Sequence, residues 1–229
     1  MANATCYTPL QVCALRVAKL NSTGDAVAGA ATGYVSDALI EATLGLEIEE
    51  GDEIIKKNGC GDICVNFKDS DRIKRATVTL NLCKLDSELI YLLTGGTLIQ
   101  DGSTTIGMKV QNFDDDAIDG VCLELWTKAW NGSAQAAPTI TGSVNSYFHF
   151  VLPKARFQLS DLTLANADSE IPVSGTGEEN AGLNIDGPYN DWPTAVTQAG
   201  GFDSVVGWFL DDAIPTAACG FTTVPAQGS

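Results

Sequence analysis

The sequence predicts a mainly β protein whose sheet buries one face and whose only clear helix is short. Glycine, threonine and valine are plentiful and helix formers are not enriched, a composition that favours short strands and turns. Apolar and polar residues alternate over several segments, which is typical of a sheet with one buried face. A length of 229 residues suits one large all-β domain or two small ones. We predict a single domain over residues 1–229.

Alternation predicts strands along most of the chain. The clearest case is 76–83, in which alternate residues are apolar from Ala76 to Leu82 and polar from Thr77 to Asn81. Turn sequences such as QDGS and WNGS separate the later strands. The predicted strands are 10–20, 42–49, 63–68, 76–83, 105–113, 121–130, 146–152, 155–164, 171–174 and 205–210.

One short α-helix is predicted over about residues 86–94. Asp86 is a good N-cap and Gly95 a good stop, and three leucines between them form an apolar stripe. We expect this helix to flank the sheet and to cover one end or face of it. Residues 1–9 are expected to form a flexible amino-terminal arm, the glycine-rich stretch 21–36 a mobile loop, and 215–229 a loose tail.

Charge is distributed unevenly along the chain. The formal net charge is −16, yet seven of the thirteen basic residues lie within 54–96, and none follows Arg156. Acidity by itself keeps a protein soluble; the uneven distribution also suggests that copies of the chain meet basic face to acidic face. Specific binding of duplex nucleic acid is disfavoured, because it depends on Lys and Arg neutralising phosphates. We see no secretory signal and no apolar run that would span a membrane, and expect a soluble cytosolic protein.

The sequence offers little for catalysis. Its single histidine, His149, lies in the apolar run YFHFVL and is more typical of a packed residue than of a base. The acidic loop at Asp114, Asp115, Asp116 and Asp119 lacks the ligand spacing of a calcium loop. Cys60 and Cys64 are spaced C-x3-C, which favours buried free thiols over a metal site and leaves a disulfide open. We predict no enzyme activity, no cofactor and no metal.

Two sequence blocks carry a resemblance to a known family. The first is KNGCGDICVNFKDSDRIKRATVTLNLCKLDSELIYLLTGG, and the second is YFHFVLPKARFQLSDLTLANADSEIPVSGTGEENAGLNIDGPYNDWP. In the second, an aromatic strand runs into a Pro-basic-x-basic step and later reaches a turn made by Gly175, Thr176, Gly177 and Asn180. Together the blocks cover most of residues 54–193 and resemble the major tail tube proteins of long-tailed bacteriophages, most closely those of phages that infect actinobacteria.

The resemblance implies a fold and a function. The fold would be a tail-tube-type β-sandwich or barrel-like domain with one flanking helix. Six subunits would form a ring, and stacked rings would make a tube through which DNA passes without specific binding. The implied partners are further copies of the chain, a tape measure protein, and tail terminator and tip proteins. The implied location is the virion tail, assembled in the cytoplasm of the bacterial host.

Such a tube would stack many like charges, which suggests roles for particular residues. We predict that Lys56, Lys57, Arg72, Lys74 and Arg75 lie at contacts between subunits. Glu47 and Glu49, or the acidic carboxy-terminal third, would face the lumen or solvent and repel DNA weakly. Charge reversal at Arg72 and Arg75 is then expected to stop polymerisation.

Two alternatives remain open. The chain could be the tube subunit of a contractile tail or secretion apparatus, with the same fold. It could instead be a monomeric β-sandwich that binds carbohydrate as a decoration module. The aromatic platforms would then be Trp126, Trp130, Trp192 and Trp208.

Overall fold

A computed structural model describes residues 7–110, 119–130, 147–160, 162 and 170–227. The strands are β1 (Thr8–Lys19), β2 (Gly29–Ser36), β3 (Leu39–Glu49), β4 (Glu53–Lys57), β5 (Ile63–Lys68), β6 (Arg72–Leu82), β7 (Thr97–Asp101), β8 (Thr104–Lys109), β9 (Val121–Trp130), β10 (Tyr147–Leu159), β11 (Ile171–Glu178), β12 (Gly207–Asp211) and β13 (Phe221–Val224). The helices are α1 (Ser87–Thr94) and α2 (Thr194–Gln198).

Nine strands form one large antiparallel sheet. Its order is β13-β2-β1-β9-β10-β11-β6-β3, and β12 pairs with β10 beside this path. The pairs β4–β5 and β7–β8 form two separate hairpins. The prediction of a mainly β protein with a short helix is confirmed, and the large sheet is consistent with a β-sandwich.

The sheet was predicted to bury one face, but over its central strands it buries both. On one face, alternate residues of β1, β6, β9 and β11 form the main core, which α1 covers with Leu89, Ile90, Leu92 and Leu93. On the other face, Ala18, Cys122 and Val151 pack beneath Leu183, Trp192 and neighbouring residues of the carboxy-terminal third. The central strands therefore lie between the helix and a carboxy-terminal cover.

The predicted helix and its caps are confirmed. The Asp86 side chain accepts hydrogen bonds from the backbone N–H groups of Glu88 and Leu89, at 3.0 and 3.3 Å. The Tyr34 hydroxyl also donates to Asp86 and thereby ties the helix to β2. Gly95 ends the helix at φ 77°, a conformation that favours glycine.

The stretch 21–36, predicted to be a loop, is partly a strand. Residues 29–36 form β2, which lies between β1 and β13 with Tyr34 and Val35 buried. The small residues of this segment give no apolar–polar alternation that would predict a strand. At Gly33 the small size is required by packing, since an added Cβ would lie 2.1 Å from the Tyr189 hydroxyl. The tail predicted to be loose also contains a strand, β13, anchored by the buried Val224.

The segments predicted as two strands at 146–152 and 155–164 form one strand, β10, that runs through Pro153. Pro153 lies where the pairing with β9 shifts register, between Leu152 and Ala155. At the same point the other edge of β10 changes partner from β12 to β11. Proline has no backbone N–H to donate to a regular ladder. It is tolerated here because the ladder is interrupted at this position.

The remaining differences concern strand ends, short hairpins, the helix α2, which was not predicted, and the predicted turn at 175–177, which lies within β11. The amino-terminal arm, predicted over 1–9, gives way to strand structure at Thr8. Strands β4 and β7 were not predicted, because each is short and pairs only within its own hairpin. Residue 146 and the predicted strand ends at 111–113, 161 and 163–164 lie outside the described residues. Within the described part of the chain, no helix is long and apolar enough to cross a membrane.

Candidate functional sites

The first candidate site is a β arm, which we define as residues 44–78: the outer halves of β3 and β6 together with the β4–β5 hairpin. Every residue of β4 and β5 is exposed. The arm nevertheless carries many large apolar side chains that are exposed to solvent. They are Leu46, Ile48, Ile54, Ile55, Ile63, Val65, Phe67 and Ile73.

One face of the arm continues the main core outward. In the register of β3 with β6, Leu44 is opposite Val78, Leu46 is opposite Ala76, and Ile48 is opposite Ile73. Opposed residues lie on the same face of an antiparallel pair. Val78 and Ala76 are buried in the core, whereas Ile48 and Ile73 are 61% and 49% exposed. The apolar row thus leaves the body of the domain without a covering layer.

The opposite face of the arm is charged, and its charges are paired within the chain. Glu47 and Glu49 lie opposite Arg75 and Arg72 in the ladder. The ion pairs measure 2.5 Å for Arg75–Glu47 and 3.1 Å for Arg72–Glu49, and Lys74 approaches Glu47 at 3.9 Å. The hydrogen bond from Arg75 lowers the pKa of Glu47 below its ordinary value.

This pairing changes the interpretation of the predicted contact residues. Arg72 and Arg75 were predicted to lie at subunit contacts, and Glu47 and Glu49 to face the lumen or solvent. In the structure all four lie on one face of the arm. Each arginine already has a carboxylate partner in its own chain, in an exposed pair of small net energy. Their role in subunit contacts stays a prediction.

The two lysines of β4 differ from those arginines. Lys56 lies opposite Val65, and Lys57 lies opposite Ile63. Among the described residues, neither lysine is within ion-pair distance of a carboxylate. They are therefore positive charges on an apolar hairpin, placed where a partner could neutralise them.

The tip of the hairpin is a tight turn closed by Asn58. Its side-chain oxygen accepts hydrogen bonds from the backbone N–H groups of Cys60 and Asp62, at 2.9 and 2.8 Å. Cys60 and Cys64 are free thiols, but the prediction that they are buried is wrong: both are exposed, because the whole hairpin stands in solvent. The junction between the β3–β6 ladder and the β4–β5 hairpin holds an open polar cavity of about 470 Å³, lined by Glu49, Glu50, Gly51, Asp52, Asp69, Ser70 and Arg72.

The second candidate site is a buried ionic cluster on the other side of the sheet. The ladder of β1 with β9 places Arg16 opposite Glu124. Arg16 donates to Glu124 through Nε at 2.6 Å and through a terminal nitrogen at 2.9 Å. Its remaining donors reach Asp191 at 2.5 and 2.9 Å. The guanidinium lies 4.1 Å from the ring centre of Tyr189 and so adds a cation–π contact.

His149 joins this cluster from β10. Its Nε2 lies 3.0 Å from Oε1 of Glu124, and its Nδ1 lies 3.2 Å from Oδ2 of Asp211 on β12. The same Glu124 oxygen accepts a hydrogen bond from the indole N–H of Trp192 at 2.8 Å. His149 is 1% exposed and Glu124 is fully buried. The prediction that His149 is a packed residue is confirmed, although its packing is ionic as well as apolar.

The cluster keeps its carboxylates ionised. Burial alone would raise the pKa of Glu124, but the charge of Arg16 and the hydrogen bond from His149 outweigh burial and hold that pKa well below its usual range. Burial likewise opposes ionisation of Asp211, yet hydrogen bonds from His149 and the Ala213 amide lower its pKa. The pKa of Arg16 is raised, because the two carboxylates outweigh the cost of burying it.

Sequence reasoning missed Arg16, Glu124 and Asp191. The available signal was a charged residue inside an apolar strand pattern, as in ALRVA and CLELW, because such residues are seldom buried without a partner. Its partners could not be identified from the sequence, since Arg16 and Asp191 are 175 positions apart.

The tryptophans do not form the platform that the carbohydrate-binding alternative requires. Trp126 and Trp192 are buried, and their indole N–H groups donate to Asp211 and Glu124. Trp130 is partly buried, and only Trp208 of the four is largely exposed. A flat binding face needs several exposed rings, so this residue assignment is corrected.

Neither a search for metal-binding geometry nor comparison with known proteins gives a further candidate site. Over the described ranges, no three His, Cys, Asp or Glu residues are grouped so that they could hold a metal ion. Asp114, Asp115 and Asp116, considered above as a calcium loop, lie outside those ranges. The chain matches no protein-family model, and no curated protein matches it.

Proposed function

We propose that this chain is the structural subunit of a bacteriophage tail tube, forming hexameric rings that stack into a conduit for DNA. The observation that carries the proposal is the uncovered apolar face of the arm, which runs from Leu46 through Ile48 and Ile73. A contiguous apolar surface of this kind marks a site of association in a soluble protein. A second copy of the chain is the partner that the resemblance implies.

The charges of the chain fit self-association. Lys56 and Lys57 have no ion-pair partner among the described residues, whereas the chain as a whole carries 29 acidic and 13 basic residues. Another acidic copy is therefore a complementary surface for the hairpin. Contacts that close produce a ring, and a second set that does not close produces a filament. The arm is suited to the second set because it extends the sheet beyond the core.

Acidity also suits a conduit. DNA carries about one negative charge per 1.7 Å of its axis, so a basic lumen would retain it and an acidic lumen would let it slide. We propose that DNA passes through transiently, and that a tape measure protein and tail terminator and tip proteins contact the tube. The assembled protein would reside in the virion tail after assembly in the cytoplasm of the bacterial host.

No catalytic role is part of this proposal. His149, the only histidine of the chain, is buried with a carboxylate at each ring nitrogen, and so it is not available to a substrate. The tube function requires stable surfaces, and the described structure offers one large candidate surface in the arm.

Electron microscopy of the purified chain tests the proposal. Rings or tubes are expected in negative stain, and a 24.0 kDa monomer at high concentration would contradict the assignment. Lys56→Glu with Lys57→Glu should shorten or abolish the tubes, because these lysines have no partner in their own chain.

The paired arginines need a matched design. Arg75→Glu breaks the pair with Glu47, and the swap Glu47→Arg with Arg75→Glu restores that pair with reversed sense. If Arg75 serves only its own chain, the swap should recover tubes. If Arg75 contacts a neighbouring subunit, tubes should be lost in both variants.

A further inference from the structure

The ionic cluster around His149, which we call the latch, is separate from the arm and independent of the proposed function. Two carboxylates face the two ring nitrogens of one imidazole, at 3.0 and 3.2 Å. A neutral imidazole has a single N–H and can donate to one of them only, which would leave a bare nitrogen against a carboxylate. A doubly protonated ring satisfies both.

The carboxylates themselves do not provide the missing proton. Oε1 of Glu124 already accepts hydrogen bonds from Arg16 and Trp192, and its second oxygen accepts from Arg16 Nε. Asp211 accepts from the Trp126 indole and the Ala213 amide. Both groups are thus held by donors that favour the ionised form.

The latch joins two parts of the chain. Arg16 and Glu124 belong to the central strands β1 and β9, whereas Asp211 ends β12, the strand that pairs with residues 147–151 of β10. The ring of His149 lies between Trp126 and Phe209, with centroid distances of 3.9 and 4.4 Å. The contacts of His149 therefore fasten β12 to the sheet.

We propose that His149 donates from both ring nitrogens in the folded chain, and that loss of either contact lets β12 open while the rest of the sheet stays folded. The groups that face the ring are Glu124 and Trp126 from β9, and Phe209 and Asp211 from β12, with Arg16 and Asp191 one contact further away.

Nitrogen NMR tests the protonation directly, because the chain has one histidine. Ring-¹⁵N-labelled histidine gives signals from His149 alone, in solution for the unassembled chain or under magic-angle spinning for a polymer. At neutral pH both ring nitrogens are expected at the shifts of protonated nitrogens. One protonated and one bare nitrogen would overturn the proposal.

Hydrogen exchange tests the opening, with a matched control one residue away. Asp211→Asn removes the carboxylate from the latch, and Asp212→Asn makes the same change at an exposed neighbour. Protection factors of the amides in 207–211 and 147–151 that bond across the β10–β12 pair should fall about 10- to 100-fold in Asp211→Asn, the range for a lost charge-assisted hydrogen bond. Those of β6 and β11, and all those of Asp212→Asn, should be unchanged.

His149→Gln provides a second variant, since a glutamine amide can donate to one of the two carboxylates only. It should release the same amides as Asp211→Asn. Equal effects of Asp211→Asn and Asp212→Asn, or a uniform loss of protection across the sheet, would overturn the latch. If His149→Gln does not fold, the NMR measurement on the native chain still decides.

Discussion

Replacing Ile48 and Ile73 by serine should weaken assembly and leave the isolated subunit folded. The two residues are opposite each other on the apolar face of the arm, 61% and 49% exposed in a single chain. Because about half of each side chain already contacts water, the free energy of unfolding of the monomer should fall only modestly. The exposed half is what a neighbouring copy would cover.

The effect on assembly can be estimated from that exposure. Complete burial of an isoleucine contributes about 1.5–3 kcal/mol, so covering the exposed parts of both residues contributes about 2–3 kcal/mol per contact. Since each 1.4 kcal/mol is a factor of ten, the association constant of one contact should fall about 30- to 150-fold. The critical concentration for tube formation, measured by sedimentation, should rise by a similar factor.

The control variant is Ile99→Ser with Ile106→Ser on the β7–β8 hairpin. These isoleucines are also exposed, at 39% and 65%, but lie outside the arm. Their substitution should leave the critical concentration nearly unchanged. An unchanged critical concentration in Ile48→Ser with Ile73→Ser, or an equal rise in the control, would refute the assignment of the arm as the contact surface.

Three further predictions follow from the described contacts. Asp86→Ala removes the cap of α1 and the acceptor of the Tyr34 hydroxyl, and should lower the free energy of unfolding in urea by about 1–2 kcal/mol. Tyr34→Phe should lower that free energy by less than Asp86→Ala does. A larger loss in Tyr34→Phe would contradict the role of Asp86 as the cap. Glu124→Gln breaks a buried ion pair and should destabilise by about 3–5 kcal/mol. The pKa values of Glu124 and Asp211 are lowered in the fold, so stability should fall as pH drops below the ordinary carboxyl range, and Glu124→Gln should flatten that decline in thermal melts. Burial raises the pKa of the Cys122 thiol, so maleimide should label Cys60 and Cys64 in the monomer but not Cys122. In assembled tubes, mass spectrometry should show that Cys60 and Cys64 are protected from maleimide. Full labelling of these two thiols in tubes would argue against a covered arm.

Local signals in the sequence were sufficient for the regular elements. The alternation in 76–83 predicted β6, the turn sequences on either side of 121–130 predicted β9, and the Asp86 cap with its leucine stripe predicted α1. These elements succeed because each is specified by residues within one segment, where period and capping chemistry agree.

The misses have a common physical cause, which is that the deciding partner is distant in the sequence. β2 is composed largely of small residues and becomes a strand through pairing with β1 and β13. Pro153 would end an isolated strand, but it is accommodated where β10 changes partners. The pairing strands cannot be identified from either segment alone, so in both cases tertiary pairing overrides the local strand propensity.

Charge illustrates the same limit and separates the two candidate sites. The sequence shows that 54–96 is basic, but only the register reveals that Arg72 and Arg75 are opposite Glu49 and Glu47. Those pairs are exposed, screened by salt and individually weak. The Arg16–Glu124 pair is buried and hydrogen-bonded on all sides, so removing one partner is costly. The exposed pairs can be replaced by contacts with a neighbouring subunit at a small cost in free energy. Breaking the buried cluster would cost much more. The arm is therefore the adaptable surface of this chain, and the cluster beneath its carboxy-terminal third is the fixed part that holds the subunit together.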